Sequence, residues 1–407
     1  MNLRVALRVV FLSLLLASPA YPQWALQKLA DITTPIPGGQ GALFTDFGLP
    51  AISDGRVTFY GRSGDFHSPL QSGTFVSKGA GFQIVADIFT PVPQAASVNF
   101  VRFADPALSQ GQISFWGQNP FTPLQEGIYV KEGRSFRVVA DVSTPIPEGI
   151  GTFSSHFSGT QAIDSGNVAF IHWRPGAGGV YEEIGGQLQR VADLNTPIPG
   201  GVGNFSPPSG GLAFDQVSIS GSNVAFVGRG VGQEGIYSNV GGALRVEANL
   251  QTVLPGAGGN ATFLRGPSID GENLAFIAGG PTASKQGVYL KAGKSLRVVA
   301  DSQTSIPGKS IAFSDFDTVV SLDGKNVVFW GRHFFSTGSY YGIFARYSGS
   351  LQKIIDSEDP LEGKTISFLT LGPQALSGTQ VVFKVTFSDF SQAIYLATAS
   401  NPLRRLP

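Results

Sequence analysis

The chain has 407 residues, its 28 basic and 28 acidic side chains balance, and only 14% of residues are charged. That excludes the basic stripe on which nucleic-acid binding depends. Cysteine is absent, which removes disulfides, thiolate metal sites, a cysteine nucleophile and a lipidated N-terminal cysteine; 53 Gly, 26 Pro and 31 Phe favour many short strands joined by tight turns.

The first element is MNLRVALRVVFLSLLLASPA, residues 1–20. Arg4 and Arg8 give a positive start, 9–17 an apolar run, and Ser18-Pro19-Ala20 a small-residue cleavage site, the pattern of an export signal. The run is too short for the ~30 Å of hydrocarbon in a bilayer, and no later segment is long and apolar enough to span one. The expectation is a secreted or periplasmic protein, not a lipoprotein, with one domain over 21–398 and a tail over 399–407.

From there the chain repeats itself. LADITTPIPGG at 29–39 returns as VADVSTPIPEG at 139–149 and VADLNTPIPGG at 191–201. The residues in the Asp position are Asp31, Asp87, Asp141, Asp193, Asn249, Asp301 and Asp356, spaced 52 to 56 apart. Seven copies at a near-constant period make a repeat architecture.

Each period holds the same landmarks in order. A Gly-containing turn leads to an apolar run ending in Phe, as in DGRVTFYG at 54–61 and DGKNVVFWG at 323–331. A Gly-apolar-aromatic step follows, as in Gly127-Ile128-Tyr129 and Gly342-Ile343-Phe344. A last strand, such as FRVVAD at 136–141, ends at the Asp. That gives four strands per repeat, A to D, and the expected fold is all-β: a seven-bladed β-propeller of four-stranded antiparallel blades. LQKLAD at 26–31 is a D strand with no A, B or C before it, and the last repeat supplies A, B and C without D. The N-terminal strand is therefore expected to complete the last blade and close the ring. An open solenoid is the rival, but its coils repeat at shorter periods.

The run DGKNVVFWG…GIF…GSLQKIID over 323–356 resembles the repeat of TolB-like propellers, with its Gly turn, "aF" strand, "IY" strand and closing D strand. The resemblance implies a propeller and hints at a role among envelope proteins. The Ser-Pro-Asp-Gly turn typical of that family is missing, with Asp54-Gly55, Asp270-Gly271 and Asp323-Gly324 approaching it.

The Asp-x-x-Thr-Pro-x-Pro segment sits between D of one blade and A of the next. Paired prolines stiffen it, Gly lets it turn, and the Asp or Asn caps backbone N–H groups, so these seven residues are expected as structural loop caps. A ring of metal ligands is the other reading, but one carboxylate per blade cannot supply the six to eight oxygens of Ca²⁺. No cofactor motif is present.

A site is better sought where the copies differ. After strand B the chain varies: Tyr60-Gly61-Arg62, Trp116-Gly117-Gln118, His172-Trp173-Arg174, Val227-Gly228-Arg229, Trp330-Gly331-Arg332-His333. Arg offers a fork for carboxylates or phosphates and aromatics stack on sugar or peptide faces. The candidate ligand-binding set is Arg62, Phe66, Gln118, Phe121, Trp173, Arg174, Arg229, Arg332, His333 and Phe334. Solvated loop arginines are the plainer reading. His67, His172 and His333 fall on separate blades, and His156 can approach His172 within one, so no metal site is expected. Asp65, Asp105, Glu126, Asp215, Asp315 and Asp317 lie in or near the variable loops, but nucleophile-elbow, zinc-protease, phosphate-loop and calcium-loop motifs are missing.

The functional expectation is an exported monomer that binds an envelope or extracellular protein, peptide or glycan through its D–A/B–C loop face. The alternatives are a carbohydrate-active enzyme with two acids in the central channel, and a structural surface or matrix component.

Overall fold

The computed structural model describes residues 24–400 except 66–68, 175–177, 209–210 and 283–284. The export signal expected over 1–20, the end of the C-terminal tail, Phe66 and His67 lie outside the described residues.

Seven antiparallel sheets follow one another around a ring, and no described residue is helical. Blade 3 shows the plan: A is Phe157–Asp164, B Asn167–His172, C Gly179–Ile184 and D Gln187–Asp193. The chain is a seven-bladed β-propeller. Blade 7 takes A and B from 366–387, C from Gln392–Ala399, and its D strand from Trp24–Asp31 at the other end of the chain. That strand pairs along its whole length with Gln392–Ala399, so the ring closes on strands from both termini and the edge of Gln392–Ala399 is covered.

The A strands line the channel, and most are broken midway. In blades 1, 2 and 7 a proline (Pro50, Pro106, Pro373) interrupts A, having no N–H to give the ladder. In blades 3 to 6 the A–B register shifts at the same level. The sequence pattern leads one to expect short A strands beside the Gly turn; the A strands instead begin up to ten residues earlier, because their first halves pair with B beyond the break.

Two devices set the blade spacing. At the A–B end, the last A residue of every blade accepts a hydrogen bond from the turn N–H of a neighbour: Ser53 from Gln110, Ser109 from Ser165, Asp164 from Gly221, Ser220 from Gly271, Asp270 from Gly324, Asp323 from Gly378 and Ser377 from Asp54. These seven bonds form an unbroken circle. At the other end, the connectors fold back on themselves as small hairpins, with bridges such as Pro35 to Leu43 and Pro197 to Asn204. Each drives an aliphatic residue into the core (Ile36, Val92, Ile198, Leu254 and Ile306 are buried) and, in five blades, a phenylalanine: Phe44, Phe100, Phe153, Phe205, Phe313. The glycine two residues after the strand B phenylalanine makes room for that ring: a Cβ on Gly61 would meet Phe44 at 2.6 Å, and one on Gly228 would meet Phe205 at 2.5 Å.

Candidate functional site

The cap residues act on their own loops. All seven of Asp31, Asp87, Asp141, Asp193, Asn249, Asp301 and Asp356 accept the N–H two residues on, at 2.8–3.1 Å. In six, the residue's own N–H meets a Thr hydroxyl three residues ahead at 2.9–3.0 Å; in the seventh, Asp359 takes the threonine's place. This is an Asx-type turn.

The loop arginines do not gather. Arg62 pairs with Asp46 at 3.1 Å, Arg229 with Glu234 at 2.9 Å and Asp215 at 3.7 Å, and Arg332 with Asp315, each inside its own blade. They are rungs of the A–B ladder rather than a common fork, and they stand on blades 1, 4 and 6. Arg332 also lies over Phe334 at 4.1 Å, beside His333, whose Nδ1 is 2.7 Å from the Ala312 carbonyl. Gln118 donates to Glu126 at 3.0 Å and accepts from Arg102 at 3.3 Å, while Phe121 is exposed.

Blade 3 is out of phase with this ladder. His172 pairs opposite Gly179 as Gly61 does opposite Gly73, so His172 stands in the glycine position and Trp173, not Arg174, is the counterpart of Arg62. His172 is fully buried, its ring 5.0 Å from Phe153, and burial pushes its pKa down to about 4 although its contact with the Ser154 carbonyl opposes this. Trp173 packs edge-on to His156 at 5.8 Å. Arg174 falls one step beyond the ladder, and no described carboxylate pairs with it. Among the described residues no group of three His, Asp or Glu could hold a metal ion.

Three cavities matter. The channel is divided by Gln374 of blade 7, whose side chain accepts from Leu108 N–H at 3.0 Å and donates to the Ile163 carbonyl at 2.9 Å, on blades 2 and 3. Below it, the A–B end holds the polar circle of serines and aspartates. Above it, at the D–A end, is a cup of about 230 Å³, half of whose lining residues are proline, alanine or valine. Asp105 is the one carboxylate lining the cup; it accepts Leu49 N–H at 2.8 Å, and burial raises its pKa against the pull of that bond and of Lys384.

The third cavity lies between blades 3 and 4. In blades 2, 4, 6 and 7 the residue just before the Gly-apolar-aromatic step bridges to the next blade: Glu126 accepts Phe157 N–H at 3.0 Å, Glu234 accepts Leu264 N–H at 2.8 Å, and Gln392 accepts Phe47 N–H at 3.0 Å. Tyr341 reaches the Ser367 carbonyl at 2.6 Å. In blade 3 this residue is Gly178. With no side chain to fill the junction, a cleft of about 310 Å³ opens there, lined by His172, Trp173, Arg174, Leu194, Pro208 and Phe214 among others. The bridging role of Glu126 and the gap at Gly178 escape a reading that asks only where residues vary after strand B; the mismatch of Gly178 with Glu126, Glu234 and Gln392 was the available signal.

The two faces of the disc differ. Of the fifteen exposed large apolar side chains among the described residues, all but Leu26 and Phe368 lie in or at the ends of D–A and B–C segments, including Ile150, Val202, Val231, Phe334 and Phe335. The A–B and C–D turns carry none.

The model of a family of unknown function (DUF7453) matches residues 20–177 and 164–400. No curated protein matches the sequence. Among solved structures, the chain is similar to the Pyrococcus horikoshii acylaminoacyl peptidase, at 11% identity and a TM-score of 0.44, over 73% of this chain and 45% of that one. It is similar to the β-propeller domain of the Trilobed protease from Pyrococcus furiosus, at 11% identity and a TM-score of 0.38, over 79% and 99%. It is also similar to a prolyl endopeptidase, at 13% identity and a TM-score of 0.45, over 88% and 48%. The chain thus spans less than half the length of the two peptidases. At these identities the likeness is one of fold alone.

Proposed function

This chain belongs to the DUF7453 family, whose function is unknown, and we propose that it is an exported peptide- or protein-binding module working through its D–A/B–C face. The observation that carries this reading is the asymmetry of the disc: nearly every exposed large apolar side chain projects from that one face. Covering these side chains with a partner takes apolar area out of water at about 25 cal/mol per Å². The exposed set is leucine, isoleucine, valine and phenylalanine, while the described tryptophans are half-buried. That composition suits a polypeptide partner better than a glycan, which is recognised by stacking combined with dense hydrogen bonding. The cup above Gln374 is a dead end that receives one side chain of such a partner. Glycoside hydrolysis needs two carboxylates about 5–9.5 Å apart, and Asp105 stands alone in the cup. A TolB-like kinship and a place among envelope proteins belong to the same proposal.

The test is a peptide-display selection on the purified chain, followed by competition among variants of the two faces. Selected peptides should bind wild type, and Phe334→Ser/Phe335→Ser or Ile150→Ser/Val202→Ser should weaken them at least tenfold. Binding lost instead through the A–B turns, or no enrichment at all, refutes the reading. Concentration-dependent self-association through the same rim would favour the structural-component alternative.

A further inference from the structure

The cup at the D–A end of the channel carries a charge that the fold does not need. Four A strands are interrupted by a proline, and the residue before it is Leu49 in blade 1, Gly266 in blade 5 and Gly372 in blade 7. In blade 2 it is Asp105. Its Oδ1 accepts Leu49 N–H at 2.8 Å, a bond that a neutral amide oxygen would make as well. Oδ2 has no hydrogen-bond partner among the described residues, and it is not sealed in the wall, for Asp105 is half-buried and lines the cup. No described basic side chain pairs with this carboxylate. Lys384 pulls on it from farther off and gives its Nζ to the Phe47 carbonyl at 2.8 Å; Asp46, the other charge that acts on it, is paired with Arg62 at 3.1 Å. Blade 1 makes room for the carboxylate: a Cβ on Gly48 would collide with Asp105 Oδ1.

We propose that the cup binds a lysine side chain of the peptide partner, its ammonium on Asp105 Oδ2 and its methylene stem along Leu49, Pro50, Ala107, Pro267, Val319 and Pro373. This rests on the reading of the D–A/B–C face as a peptide-binding surface and names what its central cup takes. Charge complementarity selects a cation. Crowding by the walls makes an uncompensated carboxylate costly and pushes its pKa up, and a cation that enters the cup offsets that cost. The head must be compact. Two A-strand carbonyls lining this level already have side-chain donors, Asp105 O from Gln161 at 2.8 Å and Thr318 O from Gln216 at 3.1 Å. An ammonium takes one charged partner and turns its other N–H groups to water, whereas a guanidinium brings five donors in a fixed plane. The apolar walls suit the stem, since lysine lays its methylenes on apolar surface and keeps its charged head among polar groups. Size agrees: at about 30 Å³ per water-sized atom, the five non-hydrogen atoms of a lysine side chain fit within the cup with water left around the ammonium.

The test titrates acetyl-Ala-Ala-Lys-Ala-Ala-amide calorimetrically into the purified chain, beside the same peptide with norleucine, Nε-acetyl-lysine or arginine at its centre, and beside n-butylamine. The lysine peptide should bind, and the two uncharged peptides at least tenfold more weakly, with arginine ranking below lysine. Asp105→Asn keeps an oxygen for Leu49 N–H and should weaken the lysine peptide by ~10- to 100-fold, the scale of a hydrogen bond to a charged group, while the melting temperature holds. Thr160→Tyr, at an exposed position lining the cup, should block it. Lys294→Gln, on the exposed C–D turn of blade 5 at the opposite face, should leave the titration unchanged. Equal binding of the lysine and norleucine peptides, indifference to Asp105→Asn, or no binding of any probe overturns the assignment. If Asp105→Asn does not fold, Thr160→Tyr and the norleucine comparison decide. n-Butylamine held as tightly as the lysine peptide would transfer the cup to a free amine and overturn the peptide assignment. Display-selected peptides that need Phe334 and Phe335 but ignore Asp105→Asn would reject the cup as a lysine site and keep the face.

Discussion

Replacing Glu126 by alanine tests the claim that the residue before the Gly-apolar-aromatic step ties blade 2 to blade 3. Its carboxylate is nearly inaccessible and accepts four hydrogen bonds: Phe157 N–H at 3.0 Å, His156 N–H at 3.1 Å, Trp116 Nε1–H at 3.1 Å and Gln118 Nε2–H at 3.0 Å. Gln118 and His156 stand near the surface and can turn to water. Phe157 N–H and the Trp116 indole cannot, and an unsatisfied buried donor costs about 1–3 kcal/mol. The loss for Glu126→Ala is therefore about 2–6 kcal/mol. With an unfolding entropy near 2.1 cal/mol/K per residue, a loss of about 3 kcal/mol lowers the melting temperature by about 4 °C. Glu126→Gln keeps one acceptor oxygen and should recover at least half of the loss. Calorimetry and urea titration of the two variants beside wild type measure this. Equal destabilisation by Ala and Gln, or a loss under ~0.5 kcal/mol from Ala, would mean that these donors find other partners and that the bridge is incidental.

Gly228→Ala would place a methyl 2.5 Å from Phe205 and 2.9 Å from Tyr237; overpacking of this kind should cost about 1–3 kcal/mol, read from urea midpoints. The folded pKa of His172 lies below its unfolded value of 6.5, at about 4. The unfolded chain therefore takes up the proton first, and stability falls as pH drops from about 6.5 to about 4. The full effect is on the order of 3 kcal/mol, and His172→Phe should flatten that part of the stability–pH curve; an unchanged curve would contradict the burial argument. Deleting residues 24–31 removes the D strand of blade 7 and bares the edge of Gln392–Ala399. Size-exclusion chromatography should then show oligomers or aggregate, whereas a stable monomer would mean that closure does not depend on that strand.

The ring was legible because its signals are periodic. The Asp position, the Gly turn and the Gly-apolar-aromatic step each recur seven times or nearly so, and phase alone placed the N-terminal strand in the last blade. The break in each A strand was not legible, since prolines and register shifts there look like loop. Blade 3 misled for a related reason. His172-Trp173-Arg174 reads naturally as another aromatic-Gly-Arg triplet, and only the pairing of His172 with Gly179 shows that the phase has slipped by one. Arg62, Arg229 and Arg332 have their charges paired across the strand pair, by acids sixteen or seventeen positions away, or five within the hairpin, a relation that loop composition does not carry.

Closing blade 7 with strands from both ends also sets a timetable. During synthesis the strand at Trp24–Asp31 emerges early and has no partner until Gln392–Ala399 appears, some 360 residues later. At about 5–20 residues per second, that is a wait of roughly 20–70 s in which the ring cannot be completed, however well the middle blades have formed. The seven-member circle of turn hydrogen bonds has the same property: the bond from Asp54 N–H to Ser377 joins the first blade to the last, so the circle cannot close until both exist. A ring built this way stays open until both Trp24–Asp31 and Gln392–Ala399 are present, and its closing step is the docking of these two strands rather than the growth of one more blade.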